Sequence, residues 1–232
     1  MPTWALRAHA VFDWVWWMAY VNALWWVFAL AGGILFGVVP SSTAAADLTR
    51  RRLRGEVFPV ARSFAAAWRR DLRKANVALG VGFLVTGMLA VGAAGQLAAG
   101  TVGSVLGVST VVALAAAFLI TAVSVPLYVH YELPLRAYLL TASRWAMRNV
   151  LHVVLLLLGA VAIAAVGSIL PGIVPFLTVG AWLTLSTVMC LSFFTANDRA
   201  VADRVAARSP LPDPLRPPPQ RKSPPPNEGV LQ

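Results

Sequence analysis

The apolar residues of this chain are gathered into long stretches that contain no acidic or basic side chain. Each stretch reaches the roughly 20 residues that a helix needs to cross the hydrocarbon core of a bilayer. Of the 232 residues, 59% are hydrophobic and 12% are charged, against about 45–50% and about 25% in ordinary soluble domains. The sequence therefore excludes a single soluble globule and indicates an all-α membrane protein.

Five membrane-spanning helices are predicted from these stretches, which together give a polytopic helix bundle. Residues 1–16 mix aromatic, apolar and charged side chains, so we expect them at the membrane interface. Residues 197–232 are rich in proline and polar side chains, and we expect a disordered cytoplasmic tail there. The predicted spans are residues 17–39, 77–98, 104–129, 150–170 and 173–196.

The basic residues are distributed very unevenly between the two sides of these spans. Of the 19 Lys and Arg residues, 18 fall in segments 40–75, 130–149 and 197–232, and Arg7 alone precedes the first span. Basic loops are retained in the cytoplasm, so the N-terminus is expected outside and the C-terminus inside. We attribute the net charge of +10 to this topology and to attraction for an anionic inner leaflet, not to nucleic-acid binding.

The two inner connections resemble amphipathic helices that lie on the membrane surface. Residues 59–75 place apolar side chains on one side of a helix and basic side chains on the other. Residues 134–149 repeat this pattern more weakly, which is consistent either with an internal duplication or with similar membrane-entry chemistry at two places. The residues expected to dock on the membrane or on a partner are Arg62, Phe64, Trp68, Arg69, Arg70, Leu72, Arg73 and Lys74.

Side chains that could perform catalysis are scarce. His130, Tyr131 and Glu132 have the H-x-E form of a zinc deaminase, but a chain with one cysteine lacks the C-x-x-C half of that site. His152 and Cys190 are isolated within the spans and do not form the series that a proton relay requires. We therefore expect no enzyme activity, no metal and no cofactor.

Small and polar residues inside the spans are predicted to mediate helix packing. Gly33 and Gly37, and likewise Gly103 and Gly107, have the small-xxx-small spacing that lets two helices approach closely. The amide of Asn22 requires a hydrogen-bonding partner on a neighbouring helix. These patterns favour packing within one chain, and they leave a homo-oligomer possible but unsupported.

The chain resembles the YesL-like family of bacterial multi-pass membrane proteins, whose function is undefined. The resemblance covers about residues 17–100 and fades thereafter. Its landmarks are Asn22-Ala23-Leu24-Trp25, Gly37-Val38-Val39-Pro40, the small residues 41–46, Phe64, Trp68, Arg69, Arg70 and Asn76. Since the family is often encoded near sugar transporters and polysaccharide-degrading enzymes, the resemblance implies a supporting role in carbohydrate uptake.

The sequence thus favours an integral protein of the bacterial cytoplasmic membrane that acts as a non-catalytic accessory or interaction subunit. A membrane transporter is then the expected protein partner. The alternative is a small facilitator or transporter of a sugar or related solute, which the repeated order of span, surface helix and span would suit.

Overall fold

The computed structural model describes residues 3–208, and these residues form seven α-helices and one short 3-10 turn with no strand. The predicted all-α class is therefore confirmed. Five of the helices contain segments long and apolar enough to cross a membrane: Arg7–Ala31, Val60–Ala98, Val105–His130, Val150–Ile169 and Val174–Val205. The helices are α1 (Thr3–Ala31), α2 (Val38–Leu53), α3 (Val60–Ala98), α4 (Val105–His130), α5 (Tyr138–Arg148), α6 (Val150–Ile169) and α7 (Val174–Arg208), with the 3-10 turn at Pro171–Ile173.

The first predicted span, residues 17–39, is replaced by a helical hairpin. α1 ends at Ala31, and α2 runs back along it after a turn over residues 32–37. Gly33 adopts a φ of +68° in this turn, and a Cβ atom at Gly37 would overlap the backbone of Ala29. These two glycines therefore permit a tight reversal. A residue with a Cβ atom rarely adopts a positive φ like that of Gly33, and a Cβ atom has no room at Gly37.

Helix α2 is buried although its sequence is polar. Trp25 Nε1 donates to Ser42 Oγ over 3.0 Å, and Trp17 Nε1 donates to Thr49 Oγ1 over 3.4 Å. Ser42 and Thr49 in turn donate to backbone carbonyls four residues earlier in α2. Small side chains let α1 approach closely, and internal hydrogen bonds remove the cost of burying hydroxyl groups. The buried residues of α2 are Val39, Pro40, Ser41, Ser42, Thr43, Ala44, Ala45, Ala46, Leu48 and Thr49.

Helix α3 is continuous over 39 residues, from Val60 to Ala98. The prediction of a surface helix at 59–75 that turns into a separate span at 77–98 therefore differs from the structure. Asn76 lies at the expected junction, but its Nδ2 donates to Leu72 O and Phe36 O over 2.6 and 2.8 Å. The amide ties α3 to the turn after α1 without interrupting the helix.

The remaining helices follow the predicted boundaries more closely. α4 packs against α3, where the Thr86 and Thr121 hydroxyl groups lie 3.2 Å apart. α5 occupies most of the second predicted surface helix, and α6 coincides with the predicted fourth span to within one residue. α7 continues to Arg208, so the segment 197–208 is helical, whereas the rest of the predicted tail lies outside the described residues.

The chain divides into two compact units, residues 1–193 and 194–232. The first contains α1 to α6 and the beginning of α7, whereas the described part of the second is the last section of α7. In the first unit, α1 crosses α7 at the buried Asn22. Its Nδ2 donates to Pro175 O over 2.7 Å, and its Oδ1 accepts from Gly180 N over 3.0 Å. The side-chain amide of Asn22 thus joins α1 to α7 through both its N–H donor and its oxygen acceptor.

Candidate functional site

A cavity of about 560 Å³ lies where the end of α2, the charged section of α3 and the end of α4 meet the loop that leads to α5. We call it the charged cavity. Its size falls within the range of about 300–1,000 Å³ that is usual for small-molecule sites. The lining residues are Asp47, Arg50, Arg70, Asp71, Lys74, Tyr128, Val129, His130, Tyr131, Glu132, Leu133, Leu135 and Tyr138.

Arg70 joins two of the helices at this cavity through acidic partners. Its guanidinium group donates two hydrogen bonds to the carboxylate of Asp71, over 3.1 and 2.7 Å. Its Nη2 atom also lies 3.6 Å from the carboxylate of Asp47 on α2. The pair of Arg70 with Asp71 lies within α3, and only 9% of the Asp71 side chain is exposed. The contact with Asp47 is the one that joins α3 to α2.

Arg50 links the cavity to α4. Its Nη1 donates to the carbonyl of Val129, and its Nη2 lies 3.9 Å from Asp47. The Nε atom is buried without a hydrogen-bonding partner in the structure. A guanidinium group has five N–H donors, so Arg50 retains a capacity to bind an acceptor that its protein neighbours do not use.

The loop between α4 and α5 is held by Tyr138. The Tyr138 hydroxyl donates to Tyr131 O and accepts from Leu133 N, both over 3.0 Å. Its ring packs on Tyr128, with the ring centroids 5.1 Å apart. These contacts fix the loop on both sides of Glu132 and hold that residue at the cavity.

A second cluster of charges closes the connection between α2 and α3. Glu56 accepts hydrogen bonds from Arg51 and Arg54 over 2.7 and 2.8 Å. The bond from Arg51, followed by that from Arg54, holds the pKa of Glu56 below its usual range. This network is exposed at the surface, so it orders the connection without forming a site.

The residues predicted to dock on a membrane separate into two groups. Phe64 is fully buried in the core, and the ring of Trp68 packs on Phe28 with their centroids 5.5 Å apart. Leu72 is half-buried, and Arg70 is paired within the charged cavity. The apolar side of this segment therefore binds the rest of the protein and not lipid, which corrects the prediction for Phe64 and Trp68. The basic residues of this segment are all exposed, and Arg70 is the one whose guanidinium group is ion-paired within the described residues: Arg62, Arg69, Arg70, Arg73 and Lys74.

The predicted glycine contacts between helices are also corrected. Gly33 and Gly37 belong to the turn between α1 and α2, and Gly103 lies in the turn before α4 with no atom near its Cβ position. Gly107 packs on the backbone of residues 101–102 in that same turn. A close helix crossing occurs at Gly180, where α7 meets the backbone of Met18 on α1. No motif in the sequence distinguishes Gly180 from the other glycines in the spans.

The chemistry of the charged cavity suits binding of a polar group better than bond cleavage. It presents three acidic side chains and three that are always basic near neutral pH. Within residues 3–208, no three His, Cys, Asp or Glu side chains are grouped closely enough to hold a metal ion. The sequence singles out Arg70 and Lys74 as docking residues and the His130–Glu132 segment for its H-x-E form, but Asp47, Arg50 and Asp71 were not predicted as site residues. The sequence feature that could have indicated this site is the presence of two aspartates, Asp47 and Asp71, within the strongly basic segment 40–75.

Comparison with known proteins places the chain in a family. Residues 18–92 match the family described as "Protein of unknown function, DUF624", and this range includes Asp47, Arg50, Arg70, Asp71 and Lys74. The chain is 32% identical over 162 residues to the uncharacterized protein YesV of Bacillus subtilis (strain 168), an alignment that covers 68% of this chain and 77% of the relative. No solved structure matches the chain. Five of its helices are long and apolar enough to cross a membrane. On the family match and the similarity to YesV, the chain belongs to the DUF624 family.

Proposed function

We propose that the protein is a non-catalytic accessory subunit of the bacterial cytoplasmic membrane that supports uptake of a carbohydrate by a separate transporter. The exposed basic stripe on α3, formed by Arg62, Arg69 and Arg73, carries this proposal. The three positions are separated by seven and four residues, so they lie on one side of the helix. A stripe of this kind suits the acidic surface of a partner protein. The proposal involves no nucleic acid and requires no second copy of the chain.

The length of α3 supports a partner outside the hydrocarbon region. A helix of 39 residues is about 58 Å long, whereas the hydrocarbon core of a bilayer is about 30 Å thick. The basic residues occupy the N-terminal part of α3, and the uncharged residues from Ala75 onward can cross the core. Since α3 is continuous through both parts, it can carry the stripe away from the membrane. Arg73 remains near the anionic headgroups and Arg62 lies beyond them.

A facilitator is the second candidate because a cavity of about 320 Å³ lies between α1, α2, α3, α4 and α7. Its walls include both aromatic rings and hydroxyl groups, a combination that could contact a sugar. The aromatic residues are Trp25, Phe83, Phe118 and Trp182, and the hydroxyl-bearing residues are Ser42, Thr86, Thr121 and Ser186.

The hydroxyl groups of this second cavity favour the accessory role. Ser42, Thr86 and Ser186 each donate to a carbonyl oxygen of their own helix. A sugar in this cavity would therefore meet few donors that are free to bind its oxygens. Polar groups left without partners in an apolar site cost several kcal/mol each, so entry of a sugar is disfavoured.

The purified protein in liposomes is expected to move no mono- or disaccharide above the background of protein-free liposomes. Flux of radiolabelled sugars measures this directly. The same assay on Thr121→Val tests the second cavity, with Thr110→Val outside that cavity as the matched control. Saturable flux that Thr121→Val reduces and Thr110→Val does not would overturn the accessory role in favour of the facilitator.

In cells, deletion of the gene is expected to reduce carbohydrate uptake by the separate transporter. A variant with Arg62, Arg69 and Arg73 changed to Glu should fail to restore uptake, because three lost charge pairs weaken docking by about tenfold. The control changes the exposed Arg136, Arg144 and Arg148 to Glu, which keeps the total charge change equal. Restoration by both variants to the same level would contradict docking through the stripe on α3.

We also propose an orientation that differs from the one predicted from the sequence, with both termini in the cytoplasm. Arg52, at the end of α2, donates to the carbonyl of Asp13 over 3.3 Å and lies over the rings of Trp14 and Trp17. The beginning of α1 and the end of α2 are therefore neighbours. The turn between the two helices lies beside Asn76, near the cytoplasmic end of the part of α3 that can cross the core, so we propose that the hairpin enters the membrane from the cytoplasm and returns to it. Arg7 then joins the other basic residues, and all 19 lie on the cytoplasmic side, as the positive-inside rule favours.

A further inference from the structure

The charged cavity contains charges that the protein leaves uncompensated. Arg70 is paired with Asp71 and lies near Asp47, so these three groups largely satisfy one another. Lys74 and Glu132 line the same cavity, and within the described residues neither makes an ion pair or a side-chain hydrogen bond. The cavity therefore presents one cation and one anion that are available to a ligand.

Arg50 adds a second available cationic group. Its Nη1 is occupied by the carbonyl of Val129, and its distance of 3.9 Å from Asp47 is too long for a strong hydrogen bond. Its buried Nε has no partner, and burying an unpaired donor is unfavourable. An acceptor with several oxygens would satisfy Nε, and Lys74 lines the same cavity.

The mixture of charges selects the chemical class of the ligand. A simple anion would be attracted by Arg50 and Lys74 but repelled by the carboxylate of Glu132. A simple cation would be attracted by Glu132 but repelled by Arg50 and Lys74. A zwitterion with a phosphate at one end and an ammonium group at the other satisfies both sides, because phosphate accepts hydrogen bonds from Arg and Lys and ammonium donates to a carboxylate.

We propose that the charged cavity binds a phosphate–ammonium zwitterion of the phosphoethanolamine type, with the phosphate at Arg50 and Lys74 and the ammonium group at Glu132. This chemistry has two sources, the headgroup of phosphatidylethanolamine and a soluble phosphoethanolamine. The cavity lies beside the charged section of α3 and the end of α4, helices that can cross a membrane, and this position makes both sources accessible. The inference does not depend on the proposed role in transport.

Binding is tested with the full chain in mild detergent by native mass spectrometry. The probes are phosphatidylethanolamine, phosphatidylcholine, phosphatidylglycerol and soluble phosphoethanolamine. Phosphatidylethanolamine is expected to bind about tenfold more tightly than the other two lipids, because phosphatidylcholine lacks ammonium N–H donors and phosphatidylglycerol lacks a cation. Competition by soluble phosphoethanolamine would show that the headgroup alone suffices, whereas its failure to compete would assign the site to the lipid.

Three variants separate the two ends of the ligand. Glu132→Gln should remove the preference for phosphatidylethanolamine over phosphatidylglycerol, and Lys74→Gln should weaken binding of every phosphate-bearing probe by about fivefold. Both residues are exposed at the cavity rim, so their replacement leaves the core intact. Arg62→Gln, on α3 but outside the cavity, is the control and should bind like the parent protein. Equal binding of the three lipids to the parent protein, or an unchanged preference in Glu132→Gln, would overturn the proposal.

Discussion

Replacement of Gly180 by alanine is expected to lower the thermal unfolding midpoint of the detergent-solubilised protein by about 5 °C. A Cβ atom at this position would overlap the carbonyl oxygen of Met18 and lie 2.8 Å from the Cβ atom of Asn22. The crossing of α1 and α7 must then widen, which also lengthens the hydrogen bond from Gly180 N to Asn22. Overpacking of this kind costs about 1–3 kcal/mol, and each kcal/mol shifts the midpoint of a domain of this size by about 2–4 °C.

The matched control is Gly87→Ala, since no atom lies within 4 Å of the Cβ position of Gly87. Alanine favours a helix over glycine by about 1 kcal/mol, so this variant should unfold at the same temperature as the parent protein or slightly above it. Asn22→Leu should resemble Gly180→Ala, because it removes both hydrogen bonds from α1 to α7. If Gly180→Ala and Gly87→Ala unfolded at equal temperatures, the close crossing of α1 and α7 would be wrong.

Helix type and several boundaries were predictable because they depend on local chemistry. An uncharged run of sufficient length has few alternatives to a helix in a bilayer. The limits of α6 are marked by Asn149 before it and Pro171 after it. Proline has no backbone N–H to donate, and the asparagine side chain competes for backbone hydrogen bonds, so both residues interrupt helices. A relation to the DUF624 family was accessible for a similar reason, since residues 18–92 contain the landmarks on which the resemblance to YesL-like proteins rests.

The hairpin of α1 and α2 was not predictable from local chemistry. The small and hydroxyl-bearing residues 41–46 are compatible with a surface helix as well as with a buried one. Burial is decided by Trp17 and Trp25, whose indole groups donate to hydroxyls 32 and 17 residues away. Such pairings are tertiary contacts, and periodicity along one helix contains no information about them.

The charged cavity was inaccessible to sequence reasoning for the same reason. Its charged groups come from α2, α3 and the loop after α4, around residues 47–50, 70–74 and 132. Along α3 alone, Arg70 appears as one member of a basic surface. Arg70 is exposed like Arg62, Arg69 and Arg73. Only the approach of Asp47 on α2 reveals that Arg70 joins two helices.

A cysteine at Arg7 is expected to be protected from an impermeant thiol reagent in intact cells and to react only after permeabilisation. Arg7 lies near the beginning of α1. The contact of Arg52 with Asp13 requires the beginning of α1 to share the cytoplasmic side with the arginine-rich end of α2. The expected difference is nearly complete, because a reagent that does not cross the bilayer reaches one side alone.

The experiment uses a Cys190→Ala background, which removes the cysteine found in the natural sequence. Gly100→Cys should react from outside under either orientation, and Arg54→Cys should be protected under either. The two controls therefore give the labelling levels of an accessible and of a protected cysteine. The five-span arrangement predicted from the sequence places residue 7 outside and keeps residues 17–39 in a single pass. Labelling at position 7 in intact cells would contradict the cytoplasmic N-terminus and favour the five-span arrangement. Protection at position 7 beside labelling at Gly100 would support a hairpin that enters the membrane from the cytoplasm and returns to it, because the contact of Arg52 with Asp13 keeps both of its ends on one side.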